Sequence, residues 1–427
     1  MFEDLKGKKL LIVGADMNDI EIVKAARSMG IHTIAMDWST DHHKSPAKLA
    51  ADEAWDMDYR DIEGVSARCA AEHVDGVIAG YSEMRVLQAA KVSERIHKPF
   101  YATEAIMEQT RDKREFKKLC LKYGVPVPKE FSISGDDREE IDSEICYPVI
   151  VKPTDYGGRI GISVCSNREE LKRGIEKALS VSESRSVIAE EYITGTEMCA
   201  IYNIADGEIE LALLNDKYQV INSGKSTVLC NVTIAPSKHL TQYYETVDCP
   251  IKSLLRGIGA KNGVAFFQMI SGEKGIRVFE MGYRLNGGND FHIIEEFHHI
   301  NHMKMLISYS LSGKMGDDIK KNDPAFSRLT VTILFYVHGG IVGNVDFEGL
   351  KNIPNVIAIT QKVFPGMAVQ EDGTTRQEAL VVKMHGNSMD EIIDLIHAAQ
   401  ACVHITDENG RDMLFEPFDT DRLIEDK

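Results

Sequence analysis

Residues 146–165 read Cys-Tyr-Pro-Val-Ile-Val-Lys-Pro-Thr-Asp-Tyr-Gly-Gly-Arg-Ile-Gly-Ile-Ser-Val-Cys. Val149, Ile150 and Val151 are β-branched, so the run before Lys152 predicts a strand. Pro153 lacks an amide donor and has a fixed φ, so pairing is expected to stop there. Residues 155–161 hold Gly157, Gly158 and Gly161 and predict a loop, and Ile162, Ser163 and Val164 predict the returning strand. The expected unit is a hairpin with a lysine at one strand end and a glycine-rich flap. Glycines let backbone N–H groups approach an anion, and the lysine adds a point charge suited to phosphate. An ordinary hairpin with a long turn fits the same residues. Neither common phosphate loop is present. Gly224-Lys225-Ser226 has Gln219 where the first glycine of G-x-x-x-x-G-K-S/T belongs, and Gly14 is followed by Ala15, Asp16 and Met17.

The chain has 427 residues, 43% of them hydrophobic, enough for two or three domains with their own cores. A net charge of −17 argues against a nucleic-acid partner and against an anionic membrane surface. The eight cysteines form no C-x-x-C pair, which excludes a zinc ribbon and a thioredoxin-like motif and leads us to expect free thiols in a reducing cytoplasm. The N-terminus does not read as a signal peptide, and no apolar run reaches membrane-spanning length.

Residues 9–13 and 31–37 predict buried strands, 19–29 a helix, 62–73 a helix, 76–79 a strand and 83–96 a helix. Such alternation implies a doubly wound parallel sheet, with ligands beyond the carboxyl ends of its strands. Gly14, Asp37 and Gly80 to Glu83 fall at those ends. A helix pair is expected over 101–124, then the hairpin and a helix capped by Asn167. Strands are expected at 187–193, 198–204 and 209–214, a helix at 248–262, and a second hairpin from Val264–Ile270 and Ile276–Met281. Strands at 329–337, 356–363 and 379–385 and a helix at 389–401 close the chain. The expected fold class is α/β with an α+β centre. It comprises an N-terminal Rossmann-like domain (1–100), a central domain of two α+β subdomains (101–320) and a small C-terminal α/β module (321–427).

The second hairpin places Gln268 and Glu280 near one level on adjacent strands, with Arg284 just beyond. Oxygen ligands so placed suit Mg²⁺, which takes one or two protein carboxylates together with phosphate oxygens. The arginine can stabilise charge on a transferring phosphoryl group. A surface hairpin with ordinary polar residues is the plainer reading.

In order, the chain shows Asp112-Lys113, then Tyr147-Pro148-Val149-Ile150-Val151-Lys152-Pro153 with its flap, then Glu190-Glu191-Tyr192-Ile193-x-Gly195-x-Glu197, Gln268, and Glu280-x-x-x-Arg284. This series resembles the ATP-grasp superfamily, with a layout nearest its carbamoyl-phosphate synthetase, biotin carboxylase, glycinamide-processing and L-amino-acid ligase branches. The resemblance implies ATP and Mg²⁺ as cofactors. It implies phosphate contacts from Lys113 and Lys152 beneath a flap containing Gly157 and Gly158, and Glu190 beside the adenine. The backbone of Glu191 and Ile193 would read the base edge, and Glu197 would bind the ribose. Gln268 and Glu280 would be the metal ligands, with Arg284 assisting phosphoryl transfer. Asn286, Gly287 and Gly288, with Glu83, would face the substrate. Two positions depart from the family pattern: Gln268 stands where Glu or Asp is usual, and Gly282 replaces an asparagine ligand. The resulting expectation is a site that lacks one ligand and would accept Gly282→Asn without harm to folding.

His298 and His302, spaced i, i+4, could seat a metal on one helix face. Asp216, Lys217 and Lys225 follow strands and could meet phosphate or a carboxylate substrate, with solvated charges the plainer reading, and Arg328 and Arg376 are candidates on the C-terminal module. The implied function is an ADP-forming ligase that activates a carboxylate or bicarbonate as an acyl phosphate for attack by an amine. The alternatives are a carbamoyl-phosphate synthetase-like or formyl- or carboxy-transferring enzyme, and a weakened nucleotide-binding or regulatory protein. Small-molecule acid and amine partners are expected, with neither nucleic acid nor membrane, and a homodimer is one assembly open to the chain.

Overall fold

The computed structural model describes residues 4–134, 140–141, 144–155, 160–222 and 225–425. The first layer is built from β1 (Lys9–Val13), α1 (Asp19–Ser28), β2 (His32–Asp37), β3 (Glu53–Asp56), α2 (Ile62–Ala71), β4 (Gly76–Ile78) and α3 (Glu83–Arg95). Its strands are parallel in the order β3-β2-β1-β4. Leu10, Leu11, Ile12 and Val13 are all buried, the unbroken apolar run of a strand covered on both faces. β3 escaped the sequence reading because two of its four residues are acidic and only Trp55 is buried. Strand order reverses beside β1, which opens a crevice at Gly14 and at the Gly80–Glu83 turn.

Helices α4 (Glu104–Arg111) and α5 (Lys113–Tyr123) follow. Asp112 caps α5 by accepting from the amides of Arg114 and Glu115, and Gly124, at φ 74°, ends it in the left-handed conformation that favours glycine. The second layer joins β5 (Glu130–Phe131), β6 (Val149–Pro153), β7 (Ser163–Cys165), α6 (Arg168–Val181) and β8 (Val187–Glu191). Its antiparallel order is β5-β8-β6-β7. Leu171, Ile175 and Ala178 of α6 close a core over Val149, Val151, Cys165 and Ala189. Pairing does not stop before Pro153: Pro153 sits opposite Val187, while the ladder to β7 ends at Val151 and Ser163.

The third layer is one large sheet. It contains β9 (Thr196–Ala205), β10 (Glu208–Asn222), β11 (Lys225–Ala235), β12 (Gly263–Gly272) and β13 (Gly275–Gly282), with helix α7 (Phe291–His298) beyond. The chain then adds β14 (Leu329–Tyr336), β15 (Val356–Gln361), β16 (Glu378–Gly386) and α8 (Met389–Cys402). The strand order is β13-β12-β9-β10-β11-β14-β16-β15. The last three strands therefore continue the same sheet through the β11–β14 pairing. That continuity lets a residue of β16 reach the centre of the molecule. Among the described residues, no helix is long and apolar enough to cross a membrane.

Candidate active site

One end of the site is basic and lies between α5, β6 and β8. Lys113, Phe116, Lys117, Val127, Lys152, Glu190, Val278 and Phe279 line one small pocket. Lys117 follows Lys113 by four residues and so shares its helix face. On the paired strands, Lys152 lies opposite Ile188, which makes Glu190 its diagonal neighbour. The Glu190 carboxylate sits between two ammonium groups, with Lys117 Nζ 2.5 Å from Oε1 and Lys152 Nζ 2.6 Å from Oε2. Burial would raise the pKa of Glu190, but the two lysines outweigh it and hold the carboxyl below its usual range. Glu191 turns away: its carboxylate accepts from the Lys129 amide, and its own amide donates to Lys129 O. The Ile193 amide makes no backbone hydrogen bond among the described residues. Lys113 donates its amide to Thr154 O, and Asp155, accepting from Ser182 Oγ and Ser184 N, fixes the start of the 155–161 segment. Gly157 and Gly158 lie outside the described residues.

The middle of the site is one face of the large sheet. Register pairs Glu197 with Lys217 and with Ile270, Cys199 with Gln268, and Gln268 with Glu280. Alternation along the strands then puts Glu197, Lys217, Gln268 and Glu280 on a common face. The buried Glu197 carboxylate accepts from Gln219 Nε2 at 3.0 Å and lies 3.4 Å from Lys217 Nζ. Lys217 is thus part of the site, and the expectation of a solvated charge fails because β10 runs on through it. Asp216 is likewise buried, accepting from Ser237 Oγ and the Lys238 amide, and burial raises its pKa against those bonds. Cys199, opposite Gln268 on β9, is pushed up to about 12 by burial, so it stays a thiol.

The Gln268 and Glu280 side chains make no hydrogen bond or ion pair among the described residues. Open amide and carboxylate oxygens on facing residues fit a hard divalent cation completed by water and phosphate. A third ligand at Gly282 does not fit. Phe266 lies directly across from Gly282, and a Cβ at 282 would stand 2.4 Å from its ring. The expected tolerance of Gly282→Asn is therefore corrected: the place of the missing side chain is filled by an aromatic ring.

The far end is assembled from distant parts of the chain. Arg284 lies over the Phe266 ring at 4.9 Å, and its Nε is 2.6 Å from Glu83 Oε1 at the start of α3. Tyr81 donates to Asn289 Oδ1 at 2.7 Å. Behind them Arg85 pairs with Asp16 at 2.8 Å and with the fully buried Asp19 at 2.9 Å. Burial, then Asp16, push the Asp19 carboxyl well above the usual range, against the pull of Arg85. Glu21 stands 3.5 Å from His292, and despite burial its contacts to His292 and Lys24 lower it to about 2. Asp290 is buried; one oxygen accepts from Asn286 Nδ2 at 2.6 Å, the other from Lys383 Nζ at 3.1 Å. Burial would raise Asp290, yet the Lys383 ammonium holds it below its usual range.

Sequence reasoning named Glu83 and Arg284, which the structure pairs, and Asn286, which bonds Asp290, with Gly287 exposed at the tip of the loop and Gly288 beside Asp290. It missed Lys117, Phe266 and Lys383, and weighed Lys217 but favoured a solvated charge. Two signals existed: the i+4 spacing of Lys113 and Lys117, and a lysine inside the otherwise apolar run Leu380–Met384. The histidine pair does not share a helix face. His299, at φ 59°, ends α7, His298 contacts Asp323 O, and His302 begins the next helix, buried against Phe291. Among the described residues no group of three or more His, Cys, Asp or Glu could hold a metal. Arg328 and Arg376 meet His385 and Asp372 on the surface, away from this site.

The family model described as "D-ala D-ala ligase C-terminus" matches residues 122–232. The N-terminal section of the carbamoyl phosphate synthase large chain of Methanopyrus kandleri is 24% identical over 310 residues, covering 65% of this chain and 52% of that protein. The chain thus spans about half the length of that relative. The L-amino acid ligase from Bacillus licheniformis has the same fold at a TM-score of 0.74 and 18% identity, over 94% of this chain and 99% of the ligase. The biotin carboxylase domain of 2-oxoglutarate carboxylase from Hydrogenobacter thermophilus, solved with MgADP, ADP and bicarbonate, reaches 0.77 at 17% identity, over 95% and 91% of the two chains.

Proposed function

We propose, from the premise that this chain is a member of the ATP-grasp superfamily, that it is an ADP-forming ligase joining a carboxylate, or bicarbonate, to an amine. The observation that carries this reading is the open Gln268–Glu280 pair, set on one sheet face with Glu197 and followed in the chain by Arg284. Lys113, Lys117 and Lys152 supply positive charge for a triphosphate, and Glu190, Ile193 and Glu197 supply polar contacts for the nucleoside. Gln268 and Glu280 would hold Mg²⁺, which when bound neutralises phosphate charge. A carboxylate oxygen attacks the γ-phosphorus, the bond to the β-phosphate oxygen breaks, and ADP leaves an acyl phosphate. The amine nitrogen then attacks the acyl carbon, phosphate departs, and the nitrogen loses a proton. The chain acts mainly by holding the reactants in line and by meeting developing charge, and the second task falls to Arg284.

An ADP-release screen tests this reading, using amino acids, hydroxy acids and bicarbonate, each with paired amines. Lys152→Ala and Glu190→Ala should each weaken Mg·ATP binding by calorimetry, and wild-type affinity in both would overturn the nucleotide assignment. A second reading, a nucleotide-binding protein without turnover, is favoured by the Phe266 ring over Gly282. Tight Mg·ATP binding without ADP release from any pair would select it.

A further inference from the structure

We propose that Lys383, on β16, is a positioning residue that orients the Asn286 carboxamide as a hydrogen-bond acceptor for the amine substrate. The inference rests on the ligase reading above. Lys383 is buried and its ammonium donates to Asp290 Oδ1 at 3.1 Å and to Thr332 Oγ1 at 3.2 Å. The other Asp290 oxygen accepts from Asn286 Nδ2 at 2.6 Å. An ionised carboxylate only accepts, so it selects one of the two orientations of the neighbouring amide. Reversed, the amide would set its Oδ1 against the Asp290 oxygen, acceptor facing acceptor. Locked as it is, Asn286 Oδ1 is buried and has no hydrogen-bond partner among the described residues. A shielded, unsatisfied acceptor calls for a donor. Asn286 stands two residues beyond Arg284, and Arg284 is in turn paired with Glu83. Of the two reacting groups, an ionised carboxylate offers only acceptors (bicarbonate adds a single O–H), whereas the amine offers N–H donors. The acceptor therefore suits the nitrogen nucleophile, and its orientation is set from a strand about a hundred residues further along the chain.

The test uses the full chain with an acid–amine pair that supports ADP release. Lys383→Met and Asp290→Asn should each raise the amine KM about tenfold, the scale of one charge-assisted hydrogen bond. Mg·ATP affinity and acid-dependent exchange of label between ADP and ATP should stay within about twofold. Lys383→Arg, which keeps the charge, should recover part of the loss; a merely structural lysine would change thermal stability without this split. Should Lys383→Met fail to fold, Asp290→Asn and Asn286→Ala carry the same expectation. Folded variants with an unchanged amine KM, or with equal losses in nucleotide affinity, overturn the inference alone. A wild type that releases no ADP with any pair overturns the ligase reading beneath it.

Discussion

The basic pocket and the far end of the site use opposite strategies. In the pocket, Lys117, Lys152 and Glu190 come from elements close in sequence, and each charge there has a partner within 2.6 Å. At the far end, Glu83, Arg284, Asp290 and Lys383 come from the first layer, the hairpin loop and the last strands of the large sheet. Excess acid is tolerated there only because Asp19 is pushed toward its neutral form and Asp290 is held by a buried lysine. The pocket is a local device prepared for a polyanion. The far end depends on two layers, and on both halves of the large sheet, keeping register, so it should be the more sensitive to substitution and to pH.

The largest effect expected is on turnover. Arg284→Ala should lower it about 100- to 1000-fold, the usual consequence of losing one donor to developing charge, while Mg·ATP affinity changes little. Glu280→Ala should damage affinity and turnover together in the presence of Mg²⁺, because no second protein carboxylate lies opposite it. Steady-state kinetics beside calorimetry checks both. Equal losses in both quantities for Arg284→Ala would erase the division between the two ends.

Next in size is a pH effect confined to the far end. His302, buried near Asp290, is pushed down to about 4 by burial. Its pKa when unfolded is about 6.5, so between those values the unfolded state binds the extra proton. Stability therefore rises with pH through that window: it is complete above about 6.5 and falls progressively toward 4, by on the order of 3 kcal/mol. Urea unfolding from pH 4 to 7.5 should show the slope, and His302→Gln should flatten it. Glu190 lies below the usual carboxylate range, so the pocket should hold in acid after the far end has loosened. Hydrogen-exchange protection lost first around α5 and β8 would reverse that order.

A smaller loss is expected from Gly282→Asn. The new Cβ meets the Phe266 ring, so the variant should lose about 1–3 kcal/mol, the scale of an overpacked core. Phe266→Ala in the same chain should relieve that clash. If Gly282→Asn alone keeps full stability, the ring moves freely and Arg284 is less firmly held than its contact with Phe266 implies.

The difference between the two ends also explains what could be read in the sequence. Gln268 and Glu280 share one hairpin and Lys152 ends a strand of another, where alternation and turn residues fix relative placement within about twenty residues, while Glu190 sits on a strand paired with that of Lys152. The alternating strands of the N-terminal layer were legible for the same reason. β3 was hidden by its charges, and the extension of β10 through Lys217 by the lack of a turn signal where a strand end was expected. Lys383 shows locally only as a lysine in an apolar run, which does not name its partners, and Phe266 carries no local signature. One depends on β16 joining the sheet beside β14, the other on the pairing of Phe266 with Gly282. The first is a fact of sheet register between strands about fifty residues apart, which a single sequence does not encode, while the second lay within the expected hairpin and was hidden by the ordinary apolar identity of Phe266.

The smallest effect separates Lys117 from Lys152 inside the pocket. Both approach Glu190, but only Lys152 belongs to the strand end that leads in sequence to the glycines, where a phosphate would draw its ammonium away from the carboxylate. Lys117 would then remain as the compensating charge. Without it, Glu190 would be left buried and unpaired whenever nucleotide binds, a state that costs free energy. Lys117→Met should therefore weaken Mg·ATP binding by up to about tenfold while leaving the unliganded fold intact, since Lys152 still pairs with Glu190. Glu190→Gln removes the charge that needs compensation, so the double variant should bind no more weakly than Glu190→Gln alone. Calorimetry on the four proteins closes this cycle. Losses that simply add would mean that Lys117 meets the nucleotide directly and does not act through Glu190.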